Sequence, residues 1–356
     1  WSLVLWFKDE IRSNIVMATI SFVAGIYLVE IILNFANVPP KNNRQEIAAE
    51  QGIKFDARSK LQVVRDFRDQ GVDAFPSVNA AILLKTGGLH KEGAESLLPF
   101  GGVSRKKTVS CNEGGEYAIY NADRYGFNNP DSEWDQEQIE WLLTGDSFTQ
   151  GACVQLGNGI AGQIRSLTGE SVINLGVGGN GPLVELAILK EYAESLRPKK
   201  VLWIYHEFND LRSDLSDEKS SYLLKQYLRN EFSQDLIHQQ KEIDSRYSKY
   251  IEEAEVGVET HKETVLDSTR ILRLVNIRRL IEFDSFDIPL FTKILTKARD
   301  RTAEWGGQLH FVYLPEFPRY TTFVIDHDLY AKRRKVINVV KGLNIPVIDI
   351  HEEVFV

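Results

Sequence analysis

Two hydrophobic patterns divide the chain. Residues 15–35, IVMATISFVAGIYLVEIILNF, are 21 positions with a single ionisable side chain, Glu30. At about 1.5 Å per residue such a helix matches a hydrocarbon core about 30 Å thick, which predicts one transmembrane helix. The run exceeds the usual apolar stretch of a signal peptide and lacks a small-residue cleavage site, so an uncleaved anchor is expected. From residue 139 the pattern changes to short apolar runs, IEWLLTG, SVINLG, VLWIY, LHFVYL and IPVIDI, separated by helical stretches. Uninterrupted apolar runs of this length alternating with helices predict strands covered on both faces, a five-stranded parallel sheet in an α/β domain.

The remaining segments follow from these two. Residues 1–14, opening WSLVLWF, suit an interfacial segment, and 36–45, NVPPKNNRQE, a short stiff linker in which Pro-Pro bars helix and central strand. Residues 46–138 form an N-terminal extension with a helix over 60–70 and a strand over 116–120. Within the 139–356 domain, a polar insertion at about 213–270 carries mixed charge at helical spacing and reads as a solvated helical face. Lys8 and Arg12 precede the apolar run while Lys41 and Arg44 follow it, so basic residues do not fix its orientation. Ser21 and Gly25 make a small-xxx-small pair that admits a partner membrane helix, to which Glu30 can bond.

Composition narrows the function. Lys plus Arg total 42 against 50 for Asp plus Glu, a net charge of −8. That field disfavours a phosphate backbone, so no nucleic-acid partner is expected. Cys111 and Cys153 are the two cysteines. They are too few for a disulfide scaffold or a structural zinc site, and no metal or cofactor is expected.

Candidate chemistry lies just past the carboxyl ends of the strands, where a doubly wound sheet collects functional groups. After the first comes Gly145-Asp-Ser147-Phe-Thr-Gln-Gly151, a serine on a sharp strand-to-helix turn. Such a hydroxyl becomes a nucleophile when a base removes its proton, and its own N–H can face a developing oxyanion. After the second comes NLGVGGNGP, whose glycines offer unobstructed N–H groups, and after the third His206-Glu-Phe-Asn209-Asp210, whose Asn209 amide can donate another bond. Gly176-X-Gly178-X-X-Gly181 also matches a dinucleotide fingerprint. However, its strand is not the first of the sheet, Glu207 comes too late for the ribose contact, and Ser147 and Asn209 would have no role.

GDSFTQG, NLGVGG and FND, in this order and spacing over about residues 139–211, resemble the first three blocks of the SGNH (GDSL) hydrolases. The resemblance implies a flavodoxin-like three-layer sandwich. It makes Ser147 the nucleophile and first oxyanion donor, Gly179 the second donor, with Gly178 the nearest alternative, and Asn209 the third. CNEGGEY, DRYGFNNPD, GNGPLVELA and KKVLWIYHEFNDL further resemble a membrane-anchored bacterial subgroup associated with surface polysaccharide synthesis. This similarity implies an inner-membrane anchor with the body in the periplasm.

Two departures stand out. Glu207 and Phe208 occupy positions where the third block usually carries a glycine, which puts Phe208 beside the oxyanion. The family's general base belongs to an Asp-X-X-His or similar motif after the fifth strand. Asp349 and His351 stand there with a spacing one residue short, so His351 is a weak candidate. His90, His206, His238, His261, His310 and His327 are no better placed by sequence. The chain is therefore expected to continue past Val356 to the missing histidine. In this context Cys111 and Cys153 suit either a disulfide tying extension to core or two buried thiols. The expected function is a serine esterase or O-acyltransferase acting on acyl esters of a cell-envelope glycan. The alternative is a catalytically inactive SGNH-like subunit with a binding or assembly role in a membrane complex.

Overall fold

The computed structural model describes residues 9–36, 44–155, 157–207, 209–260, 272, 274, 277, 286–321 and 327–356. The chain divides into two compact units, Trp1–Ile47 with Val258–Ser285, and Ala48–Gly257 with Phe286–Val356.

The first unit contains the helix Asp9–Ala36. Its stretch Ser13–Leu33 has a mean hydropathy of 2.2 and is almost wholly exposed, long and apolar enough to cross a membrane. Met17, Ile20, Phe22, Leu28 and Ile32 all face outward, which suits a lipid solvent and would be costly in water. Glu30 is fully buried and accepts a hydrogen bond from the Ile277 backbone N–H at 2.8 Å. A Cβ added at Gly25 would meet nothing within 4 Å. Most of the linker and the opening WSLVLWF lie outside the described residues.

The second unit is built on two sheets. Strands β1 (Ala74–Pro76), β2 (Lys107–Val109) and β3 (Ile119–Asn121) form the smaller one, with β1 parallel and β3 antiparallel to β2. The sequence suggested a strand only near β3, because β1 and β2 lie in DAFPS and KKTVS, where proline and polar residues break any apolar run. Strands β4 (Trp141–Gly145), β5 (Val172–Asn174), β6 (Lys200–His206), β7 (Gln308–Leu314) and β8 (Val347–Asp349) make the larger sheet, in order β5-β4-β6-β7-β8 with every pairing parallel. These are the five apolar runs, and the order 2-1-3-4-5 is that of flavodoxin-like doubly wound folds. Trp203 and Tyr205 of β6 join the main core on one face, while Leu143, Leu202 and Ile204 pack on the other against Ala161 of the helix Ile160–Thr168.

The polar insertion departs from the solvated face expected of it. The helix Gln240–Thr260 buries Ile243, Tyr247 and Ile251 in the main core. These residues recur every four positions and make one narrow apolar stripe on a helix otherwise rich in charge.

The extension is fastened to β5 through the DRYGFNNPD segment. Asp123 accepts bonds from the N–H groups of Tyr125 and Phe127, from Asn129 Nδ2 and from Trp134 Nε1. Asn129 in turn donates to the Asn174 carbonyl and accepts from the Asn174 N–H. Burial raises the Asp123 pKa to about 6 although all four donors favour its ionised form. A disulfide joins Cys111, just past β2, to Cys153, just past the serine turn.

Candidate active site

The serine turn is shaped by what surrounds it. Strand β4 ends at Gly145, where an added Cβ would lie 2.7 Å from the Ile204 carbonyl oxygen and collide with the Thr149 hydroxyl. Only glycine fits there. Asp146, fully buried, caps the one-turn helix Ser147–Gln150 by accepting from the Phe148 N–H at 2.9 Å. Gly151 ends it in the left-handed region at φ 66°. Ser147 is thereby left half-buried and Phe148 half-exposed at the strand tip. The Ser147 N–H, at the first position of a helix, has no intrahelical acceptor.

The loop after β5 is locked onto this turn. Asn174 donates to the Thr149 carbonyl at 2.7 Å and accepts from the Gly176 N–H at 2.9 Å. Gly178 donates its N–H to Gln150 Oε1 at 2.9 Å, and a Cβ there would lie 3.5 Å from Ser147 Cβ. The loop therefore passes close enough to the serine that one added carbon at Gly178 would touch it, with the Gly178 N–H already engaged. Gly179 follows at φ +77°, and a Cβ there would approach Ala81 Cβ to 3.1 Å and Asn79 Nδ2 to 3.5 Å. One wall of the loop is thus the start of the helix Ala80–Thr86, from the extension.

Past β6, Asn209 is held on every side. Its Nδ2 donates to Asp146 Oδ2 and to Asp214 Oδ2, both at 2.9 Å, and its Oδ1 lies 2.5 Å from His206 Nδ1. Asn209 is thus brought to the residue preceding Ser147, yet both its amide hydrogens face carboxyl groups. It can donate to a reacting oxygen only by releasing Asp146 or Asp214. The His206 ring stacks on Phe148 with centroids 4.2 Å apart and planes inclined by 17°. Phe208, expected beside the oxyanion, lies outside the described residues.

Near these groups lie further buried or half-buried carboxyls, of which Asp210 belongs to the FND string and Glu185, Asp214 and Glu218 were not singled out by motif. Glu185, on the helix Pro182–Ile188, and Asp210 are fully buried. Burial holds both well above the ordinary carboxyl range, and Asp146 and Asp214 nearby push the same way. Asp214 is raised to about 6, again mainly by burial. Glu218 accepts from the N–H groups of Gly181 at 2.6 Å and Leu183 at 2.8 Å. Chain-distant carboxyls of this kind leave no local pattern that a sequence motif would register.

Glu207 points elsewhere. It pairs with Arg319 and accepts from the Glu316 N–H at 3.0 Å. Burial raises its pKa, but Arg319 and the Glu316 N–H outweigh it and leave the group below its usual value. His351 lies past β8, its Nδ1 2.7 Å from Tyr320 Oη. Burial first, then Arg333 and Arg319, lower its pKa. Between its strand and β4 stand β6 and β7. His90 bonds the Thr86 carbonyl and His238 bonds Asp235, while His261 and the His327 side chain lie outside the described residues. Among the described residues no three His, Cys, Asp or Glu side chains are grouped to hold a metal ion. A cavity of about 540 Å³ lies in the extension, lined among others by Phe55, Arg58, Phe67 and Tyr117; Ser147, Gly179 and Asn209 are not part of it.

No family model matches the chain. No curated protein matches it either. Among solved structures it is similar to TesA, at 11% identity over 58% of this chain and 76% of that one, with a TM-score of 0.31. A putative lipolytic protein of the G-D-S-L family from Desulfitobacterium hafniense DCB-2 gives 13% identity, 60% and 79% coverage and a TM-score of 0.29. The acetyl xylan esterase AlAXEase gives 12% identity, 60% and 79% coverage and a TM-score of 0.31. Likeness at this level leaves the functional reading to the chain's own residues.

Proposed function

We propose that the chain is a membrane-anchored serine esterase or O-acyltransferase, with Ser147 as nucleophile, acting on acyl esters of a cell-envelope glycan. The observation that carries this reading is the serine turn itself. A position that admits only glycine and a buried aspartate cap lift Ser147 to the tip of β4, and the glycine loop after β5 leaves room for about one carbon between itself and the serine. In the reaction Ser147 Oγ attacks the ester carbonyl after a base takes its proton. The Ser147 and Gly179 N–H groups receive the oxyanion, joined by Asn209 once it releases a carboxyl. Water or a sugar hydroxyl then accepts the acyl group, and only the acceptor distinguishes hydrolysis from transfer. Phe148, half-exposed beside the serine, supports a sugar substrate because a flat apolar ring face suits the CH face of a pyranose. The apolar helix Asp9–Ala36 supports an inner-membrane anchor, and the Cys111–Cys153 disulfide supports an oxidising, periplasmic location for the body.

A second reading, a non-catalytic binding subunit of a membrane complex, draws on the engagement of both Asn209 amide hydrogens by carboxyls. Hydrolysis of p-nitrophenyl acetate separates the two. The catalytic reading expects a rate that Ser147→Ala lowers by about a thousandfold or more. Equal rates for the two proteins would refute it.

A further inference from the structure

The Asn209 amide fixes more than its own position. An amide oxygen and nitrogen are interchangeable by shape, so their assignment rests on the surrounding bonds. Here two carboxyl oxygens, Asp146 Oδ2 and Asp214 Oδ2, each lie 2.9 Å from the same amide atom. An amide nitrogen has two hydrogens to give and can donate to both acceptors at once, so that atom is the nitrogen. The oxygen then faces His206 Nδ1 at 2.5 Å. An oxygen cannot donate, so Nδ1 carries the ring proton, and in the neutral ring Nε2 is left with a lone pair. That is the tautomer a general base needs.

Position agrees with tautomer. Strands β4 and β6 are parallel neighbours with Gly145 opposite Ile204. Two residues further along each chain come Ser147 and His206. His206 shares the face of Leu202 and Ile204, the side covered by the helix Ile160–Thr168 that follows the serine turn. Its ring is pinned by Phe148, the residue next to the serine. Among the described residues its Nε2 makes no hydrogen bond, Ser147 Oγ included, so its lone pair is unengaged, whereas the His351 Nδ1 bonds Tyr320 on the far side of two intervening strands.

We propose that His206 is the general base for Ser147, with Asn209 as the residue that positions it and Asp214 as the anchor of Asn209. The proposal rests on the esterase reading above. The Ser147 Oγ–H proton passes to His206 Nε2 as the Oγ–C bond forms and the carbonyl π pair moves onto oxygen. Collapse of that intermediate breaks the ester C–O bond, and the leaving alkoxide takes the proton from the imidazolium. Water then attacks the acyl-serine, giving His206 a proton that returns to Ser147 Oγ as the acid departs. An Asn-oriented histidine beside a nucleophile is chemically sufficient, as the Cys-His-Asn arrangement of other hydrolases demonstrates.

The test uses the full chain in detergent with p-nitrophenyl acetate, comparing wild type, Ser147→Ala and His206→Gln, with thermal melting as the control for folding. The expected result is Ser147-dependent hydrolysis that His206→Gln lowers by about a thousandfold, within the range for losing a general base. The acid limb of the kcat/KM profile should vanish with it, which a merely structural role for the ring would not cause. If His206→Gln melts early, added imidazole should restore activity to His206→Gly, and failure to do so counts against the proposal. Histidine-specific ¹⁵N labelling reads the ring directly: protonated Nδ1 is expected, and protonated Nε2 overturns the assignment. Ser147-dependent hydrolysis that keeps its rate and acid limb in His206→Gln overturns the proposal and leaves the esterase reading intact. No Ser147-dependent hydrolysis by wild type removes both.

Discussion

Glu218 shows how one buried side chain couples the site to pH. It is 1% exposed and accepts the Gly181 and Leu183 N–H groups at the start of the helix Pro182–Ile188. Those bonds favour the carboxylate, yet burial outweighs them and, with Asp214 adding repulsion, raises the pKa to about 8. In the unfolded chain a glutamate titrates at about 4.3. The folded state therefore binds the proton more tightly over the interval between, so the stability it contributes is complete below about pH 4 and is lost as pH rises through about 8. Asp214, raised to about 6, acts in the same direction. The melting temperature should fall from pH 6 to pH 9, and Glu218→Gln should flatten that decline; a wild-type melting temperature that climbs over this range would contradict the argument. At this scale the sequence was legible where chemistry is local. Ser147 stands in a turn whose glycines and capping aspartate are adjacent in the chain. Asp214 and Glu185 come near Asp146 only through folding, Glu218 meets the loop after β5, and nothing in HEFND tells which atom Asn209 presents to His206.

Among the elements, the β4 turn is the least replaceable. Thr149, fully buried, wedges between Gly145 and Gly176, where a Cβ would come within 2.6 Å of the Thr149 Cβ and 2.7 Å of the Gln150 N. Backbone cannot yield there as a flexible side chain would. Gly145→Ala should therefore cost about 1 to 3 kcal/mol of stability, the range for overpacking a close-packed site. It should also lower Ser147-dependent hydrolysis beyond what the folded fraction explains, because the displaced turn carries the proposed nucleophile. Gly114→Ala, where the added carbon meets nothing within 4 Å, should leave both nearly unchanged. Equal melting temperatures for the two variants would show the turn to be compliant. The five strands of the larger sheet were readable because each is a continuous apolar run. Strands β1 and β2 were not, since DAFPS and KKTVS break their apolar residues with proline and polar side chains. The helix Gln240–Thr260 was misjudged because charge concealed the single stripe of Ile243, Tyr247 and Ile251.

At the scale of the molecule, the apolar helix and the disulfide test the same proposed topology. The stretch Ser13–Leu33 is 21 residues, about 32 Å of helix, enough for one crossing. Lys8, Arg12, Lys41 and Arg44 flank it too evenly to say which side the body occupies. The Cys111–Cys153 bridge, closing a sequence separation of 42 residues, supplies an independent reporter, because such a bond persists in an oxidising compartment and is rare in the cytosol. With the body in the periplasm, thiol alkylation of intact bacteria followed by denaturation should label neither cysteine until reductant is added. Redirecting the body to the cytosol by deleting residues 1–43 should expose both thiols to the reagent once the chain is denatured. The bridge should also matter energetically: a closed loop of this length is worth about 4 kcal/mol in the chain-entropy treatment, so the cytosolic form should melt well below the anchored one and recover on oxidation. Two labelled cysteines in the anchored protein would place the body on the cytoplasmic side. An acyl ester of an external glycan would then be out of reach of Ser147, and the proposed substrate class would fall.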